Sequence, residues 1–420
     1  VKGLLADLFR REFGKMVAVI SRRYGLQYIE IAEDLVSETF LSAAESWQGK
    51  GIPANPEAWL YHVASQKVLL YFRRNKILMD KIVPHMRESQ EIYEESAEIC
   101  FTDGNIKDSQ LQMLLAVCHP ALGSEAQIGL ALRVLCGFSI DEIAQAFFTN
   151  KETINKRLFR AKERLRSEGI TVEPLGDDDV GTRLDNTLHI IYLLFTEGYY
   201  SRTRDEILRR DLCREALRLG LMLTEHKRTD VPKANALVAL MCFHASRFDA
   251  RQAGQENMIL YDDQDRSKWN QELIYQGMYF LGRSAVGNEI SSYHLEARIA
   301  CCHCYRDDGE EKWQEVLHLY NQLLLVNYSP AVALNRTYAL YKAEGRESAL
   351  LEAEKLQLSG SHFYHMLLGE LYIGVNNNKA MEYLRTASTL AGTEAERKHI
   401  KRRLEEIIKD GVERRDETVK

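Results

Sequence analysis

The chain has 420 residues, 45% of them hydrophobic, and a formal net charge of −6. This is material for two to three packed domains of roughly 150 residues each, and it excludes wholesale disorder. No run approaches the roughly 18 consecutive apolar residues of a membrane-spanning helix. The first residues, with Lys2, Asp7, Arg10 and Arg11, lack the apolar core of a signal peptide, so a cytoplasmic protein is expected. With only 7 Pro and 25 Gly, few residues break long periodic segments, and the expected fold class is all-α.

Leu4, Leu5, Leu8, Phe9, Phe13, Val17 and Ile20 recur at the helical period and predict an amphipathic first helix. A second helix is predicted over 29–47, with Ala32, Leu35, Val36, Phe40, Ala43, Ala44 and Trp47 on its apolar side. Its outer face carries Glu30, Glu33, Asp34, Glu38 and Glu45. Gly49, Gly51, Pro53 and Pro56 then break the chain. A third helix follows over 57–76, striped by Trp59, Leu60, Val63, Ala64, Val68, Leu69 and Phe72. These helices form a module over residues 1–83.

Residues 84–108 carry seven acidic residues against two basic ones and include Asp103-Gly104-Asn105. The stretch reads as an acidic linker. A second module spans 109–170 and holds four helical pieces, 111–118, 124–135, 140–148 and 151–166. Ser124 is a candidate N-cap. Ser139 with Glu142 makes a capping box, and Gly137 closes the helix before it.

The last two of these pieces are the most informative. They are joined by a short turn at Thr149-Asn150, and 149–166 holds seven basic and two acidic residues, a net +5 in an acidic chain. Ile154, Leu158, Ala161 and Leu165 form the inward stripe. Lys151, Glu152, Asn155, Lys156 and Phe159 are left outward, and Arg157, Arg160 and Lys162 flank the stripe. A helix-turn-helix places the start of its second helix in the DNA major groove. There Arg and Lys read guanine, Asn reads adenine, and the remaining cations hold phosphates.

Beyond a break at 174–181 with Asp177-Asp178-Asp179, residues 182–420 read as a long helical domain. Near its end helices pair at 331–343 with 347–355 and at 363–373 with 380–390. Their period is close to that of tetratricopeptide (TPR) repeats. The eight Cys fall mostly in apolar helical patterns and read as reduced packing residues. Cys301-Cys302-His303-Cys304 lacks the second ligand pair of a structural zinc site. Asp262, Asp263 and Asp265 lack the Gly and distal Glu of a calcium loop, and a buried network with Arg266 and Trp269 is expected instead. Glu197, Tyr199 and Tyr200 read as a hydrogen-bonded cluster between helices. No phosphate loop, nucleophile elbow or zinc-protease signature is present. No cofactor, no metal and no enzymatic activity are expected.

Several motifs carry a family resemblance. Ala32-Glu33-Asp34-Leu35-Val36-Ser37-Glu38-Thr39-Phe40, Asn55-Pro56-Glu57-Ala58-Trp59-Leu60 and Phe72-Arg73-Arg74 resemble region 2 of an extracytoplasmic-function (ECF) RNA polymerase sigma factor. Ser139-Ile140-Asp141-Glu142-Ile143-Ala144 and Arg157-Leu158-Phe159-Arg160-Ala161-Lys162 resemble its region 4. Cys118-His119-Pro120-Ala121-Leu122, Leu193-Leu194-Phe195-Thr196-Glu197-Gly198-Tyr199, Asp263-Gln264-Asp265-Arg266-Ser267-Lys268-Trp269 and Ala333-Leu334-Asn335-Arg336 resemble a subgroup with a helical, TPR-like C-terminal extension. Thr196 stands where that subgroup has Asn.

The resemblance implies a factor that binds core RNA polymerase and promoter DNA. It assigns polymerase binding, through the β′ coiled coil, to Glu33, Asp34, Glu38 and Phe40, and gives region 4 a dock on the β flap. It assigns −10 DNA to His62, Gln66, Lys67, Tyr71, Arg73 and Arg74. It assigns −35 DNA to Lys151, Asn155, Lys156, Arg157, Arg160 and Lys162. A regulatory protein or ligand is the implied partner of the C-terminal domain, and no membrane is implied. The sequence leaves open a helix-turn-helix regulator that works without polymerase and carries a ligand- or peptide-binding repeat domain.

Overall fold

In the computed structural model the described residues are 2–82, 99–172, 177–200, 206–251, 264–305, 307, 309–392 and 394–417. Among them the chain is all-α, with no strand. No helix among them is long and apolar enough to cross a membrane. The chain divides into two compact units, Val1–Asp230 and Val231–Lys420.

The first unit opens with α1 (Lys2–Tyr24), α2 (Ile29–Lys50) and α3 (Pro56–Ile82), which pack on one another. Their buried faces hold Leu8, Phe13, Met16, Val17, Ile20, Val36, Trp47, Leu60, Ala64 and Val68, following the 3.6-residue period. Burying such side chains contributes about 1.5–3 kcal/mol each for the large aliphatic and aromatic ones. Gly25, at φ 98°, reverses the chain between α1 and α2, a conformation that a Cβ would strain. Trp59 packs edge-on against Trp47, ring centroids 5.5 Å apart.

Next come α4 (Asp103–Val117), α5 (Ser124–Val134), α6 (Ile140–Ala146) and α7 (Lys151–Ser167). α4 begins inside the stretch read as linker. Asp103 favours a helix N-terminus, and Ile106, Ser109 and Leu111 bury against the rest of the unit. The rest of that stretch, up to residue 98, lies outside the described residues. α5 is entered from Gly123 rather than Ser124, which already sits in the first turn. The Ser139–Glu142 capping box is present in full: Glu142 N–H donates to Ser139 Oγ at 3.2 Å, and Ser139 N–H donates to Glu142 at 2.8 Å.

The unit does not end with α7. α8 (Asp177–Tyr200) starts on the acidic run read as a break. α8 and α9 (Glu206–Glu225) pair with each other and pack on α4, α5 and α6. Asn186 donates to Gln127 Oε1 at 2.7 Å and to the Cys118 carbonyl. Arg218 donates to the Leu135 carbonyl at 3.1 Å, and Lys107 pairs with Glu225 at 2.8 Å. The sequence boundary at 182 therefore cuts through a packed body.

The second unit runs from α10 (Pro232–Ala245) through α11 (Gln271–Ser284), α12 (Ser292–Tyr305), α13 (Glu310–Val326), α14 (Pro330–Glu344), α15 (Arg346–Leu356), α16 (His362–Tyr372) and α17 (Asn377–Leu390) to α18 (Glu394–Glu417). Each helix packs on its neighbour in the chain, the pattern of a helical array. α10 is buried along its length from Ala234 to Phe243. α11 crosses it at Gly277, where an added Cβ would come within 2.7 Å of the Phe243 ring. Further along, Ala333, Ala339, Ala349, Ala353, Ala380 and Ala387 are buried and let helices approach closely. Gly369 meets Leu384 in the same way.

Candidate polymerase and promoter-DNA surfaces

α6, the turn after it and α7 place the inward stripe as the periodicity predicts. Asn150 caps α7, accepting a bond from Thr153 N–H at 2.8 Å. Phe148, at φ 49°, makes the turn before it. Ile154, Leu158, Ala161 and Leu165 are all buried. Lys151, Asn155, Lys156, Phe159 and Arg160 are exposed. Two of these cations have exposed acidic neighbours: Lys151 pairs with Asp141 and Lys156 with Glu152, both at 2.6 Å. Surface pairs of this kind are weak and exchange readily for other anions.

Arg157 and Lys162 depart from the outward set. The Arg157 guanidinium lies over the Phe147 ring at 5.3 Å and pairs with Glu125 at 2.6 Å. Together with Lys156, Arg160, Thr153, Gly123 and Ala126 it lines an open groove of about 440 Å³ between the start of α5 and α7. Cations and a helix N-terminus converge there, an arrangement that attracts anions. Lys162 does not reach this surface. It is 9% exposed and its ammonium bonds to Glu33.

Of the acidic residues on α2, Asp34, Glu38 and Glu45 are exposed and Glu30 is half-buried. Glu33, expected on the same face, is 4% exposed. One carboxylate oxygen accepts from Arg133 Nε at 2.8 Å and the other from Lys162. Phe40 is also buried, packed edge-on against Phe9 with centroids 5.0 Å apart. It supports the core and is not presented to solvent. Partial desolvation and the neighbouring Glu33 carboxylate hold Asp34 above the usual carboxylate range.

On α3 the six residues assigned to −10 DNA do not form one face. At about 100° per residue, His62, Gln66 and Arg73 share one stripe, and Lys67, Tyr71 and Arg74 another. His62, Gln66, Arg73 and Arg74 are exposed. Lys67 is half-buried and reaches Glu38 at 3.4 Å. Tyr71 sits edge-on to Phe72, whose ring stacks on Tyr24 at 3.9 Å. This aromatic cluster fixes the segment that carries Arg73 and Arg74.

The sequence reading missed Arg133, Arg10 and Arg166. Arg133 is the lone cation in the apolar run from Leu130 to Leu135, which was the available signal for a buried partner. Arg10 pairs with Glu142 and lies 3.9 Å from the centroid of the buried Phe138 ring. Arg166 bonds Glu30 at 2.6 Å and the Gln27 carbonyl at 3.2 Å.

In the second unit, Asp262 and Asp263 lie outside the described residues. Asp265 is exposed and caps a 3-10 turn, accepting from Ser267 N–H at 3.0 Å and from Ser267 Oγ at 2.7 Å, so it does not belong to a buried network. Arg266 covers the buried Trp269 ring at 5.5 Å. Cys302 is buried on α12, and Cys304 donates to the Phe243 carbonyl at 3.8 Å. Among the described residues no group of three or more His, Cys, Asp or Glu side chains converges as a metal site. In the first unit, Tyr199 is buried and stacks on Phe195, while burial raises Glu197 above its usual range. The Tyr200 side chain lies outside the described residues.

Comparison with known proteins agrees with this geometry. Residues 8–77, which are α1 to α3, match Sigma-70 region 2. Residues 183–285, from α8 to the end of α11, match a Family of unknown function (DUF6596). The chain is similar to the RNA polymerase sigma factor YlaC of Bacillus subtilis (strain 168), 24% identical over 163 residues, 39% of this chain and 90% of that protein. The helical fold and the region 2 match support a protein of the sigma-70 type. More specifically, the chain belongs to the family of the uncharacterized protein R00370 of Rhizobium meliloti (strain 1021), to which it is 32% identical over 348 residues, 82% of each chain. No solved structure matches it.

Proposed function

We propose that the chain is an alternative sigma factor of the ECF type. It binds core RNA polymerase through α1–α3 and directs initiation at specific promoters. The observation that carries this reading is the pairing of a region 2 match on α1–α3 with a capped helix-turn-helix whose second helix exposes Lys151, Asn155, Lys156 and Arg160. That face reads the −35 element, and the cation-lined groove beside Arg157 and Arg160 takes backbone phosphate. The exposed stripes of α3 hold the −10 strand through His62, Gln66, Arg73 and Arg74, with Lys67 and Tyr71 at their edge. Asp34 and Glu38 face the β′ coiled coil. The acidic stretch before α4 stands where other sigma factors carry a third region. The second unit is a TPR-like array that regulates the factor or binds a partner, supported by its succession of packed helices.

Run-off transcription with purified core polymerase on the upstream region of its own gene tests the reading. Promoter-specific transcripts that disappear with Lys156→Glu or Arg160→Glu support it. Duplex binding without core, and no transcript with it, replaces it by a polymerase-independent regulator.

A further inference from the structure

Two carboxylates on the acidic face of α2 are already held within the first unit, while Asp34, Glu38 and Glu45 stay exposed. Glu33 is held by Arg133 of α5 and Lys162 of α7, and Glu30 by Arg166 of α7. Around these pairs the fit is close. A Cβ on Gly14 of α1 would collide with the Leu135 carbonyl, and Phe138 is fully buried beside Arg10. The Arg133 guanidinium also donates to the Phe138 carbonyl at 3.1 Å and faces the Phe13 ring at 5.2 Å. A helix from another protein cannot reach Glu33 while α5 and α7 cover it.

Resting on the sigma-factor reading, we infer that this packing is an autoinhibitory clasp: the cations of α5 and α7 take the place on α2 that polymerase needs, and binding requires Glu33 to be released from Arg133 and Lys162. The clasp is one-sided. Lys151, Asn155, Lys156 and Arg160 stay exposed while Glu33 and Lys162 are covered. It therefore limits polymerase binding and leaves duplex binding by α7 unaffected. Charged contacts suit such a device, because parting them exposes groups that water solvates, whereas parting a purely apolar seam exposes a sticky patch.

The test uses the full chain with spin-labelled amino acids at the exposed positions Gln27, in the turn that leads into α2, and Arg164 on α7, two segments joined by the Arg166–Gln27 bond. The label-to-label distance is measured alone and with core polymerase, beside core and duplex affinities of wild type and Arg133→Ala. A single short distance that is lost on binding core, with Arg133→Ala binding core about five- to tenfold tighter and duplex unchanged, supports the clasp. A short distance that persists in the polymerase complex overturns it, as does a folded Arg133→Ala that binds core no tighter. If Arg133→Ala fails to fold, the wild-type distances decide. Promoter-directed transcription with the short distance retained defeats the clasp alone. Failure of wild type and Arg133→Ala alike to bind core defeats the sigma reading and the clasp with it.

Discussion

Glu33 and Lys162, 129 positions apart in the chain, meet as a buried ion pair that joins α2 to α7. Arg133 completes the group at 2.8 Å. Removing one member of a buried ion pair leaves the other charges uncompensated, at a cost of about 3–5 kcal/mol. Glu33→Gln is expected to lower the unfolding free energy of the first unit toward that range, read by urea unfolding. Glu38→Gln, on an exposed carboxylate, should change it by less than about 1 kcal/mol.

On the proposed reading, the exposed side of α7 serves DNA binding and its buried side serves folding. Arg160→Ala should leave the melting temperature unchanged and weaken duplex binding. It should also reduce the slope of log affinity against log salt by about 0.9, the loss of one phosphate contact. Ile154→Ala should instead destabilise the first unit by about 2–5 kcal/mol. Thermal unfolding and salt-dependent fluorescence anisotropy check both outcomes.

Ser139→Ala removes the hydroxyl that accepts from Glu142 N–H in the capping box in front of α6, while the backbone N–H that donates to Glu142 stays. The expected cost is about 1 kcal/mol. Amide exchange at Glu142 should rise, because its N–H loses the Ser139 oxygen. Unchanged exchange at that position would exclude a stabilising role for the cap.

His244 in the second unit is held well below its usual value by burial first, then by the charges of Arg247, Arg251 and His303. The folded state keeps it neutral, while the unfolded chain takes up a proton below about pH 6.5. Its contribution to stability is therefore present above that pH and is lost as the pH falls below it. His119 and His294 are lowered in the same direction, by burial foremost. Melting temperature should decline from pH 7.5 to 5.5, and His244→Gln should flatten the decline.

Gly277 lies where α11 crosses Phe243. Gly277→Val should destabilise the second unit by about 1–3 kcal/mol through overpacking. Its effect should appear in amide exchange of α10 and α11. Equal loss of protection in α1–α3 would contradict the division into two units.

Periodic residues made most of the helices legible. The stripe Ile154, Leu158, Ala161 and Leu165 needs only the geometry of one helix, and so does the Ser139–Glu142 box. The side facing a distant segment was not legible. Glu33 was expected on the outer face and Lys162 at the flank of its stripe as a DNA contact, because their own helices offer no local sign of a cover; Phe40 is buried on the apolar side where its period puts it. α4 and α8 were read too short for a different reason. Asp103-Gly104-Asn105 and Asp177-Asp178-Asp179 carry turn-like composition, yet acidic residues also open helices. Gly104 within α4 costs about 1 kcal/mol relative to Ala, which the buried residues of the same helix offset.

The bonds from Asn186 and Arg218 have a practical consequence for dissecting the chain. A protein trimmed after Gly181 loses α8 and α9, and with them the donors to the Cys118 and Leu135 carbonyls and to Gln127. Its apolar underside, formed by residues of α4, α5 and α6 that α8 and α9 now cover, would face water. Loss of solubility in such a fragment would imitate loss of function. The natural seam lies at Asp230–Val231, and an N-terminal piece cut there keeps α8 and α9 with the helices they cover.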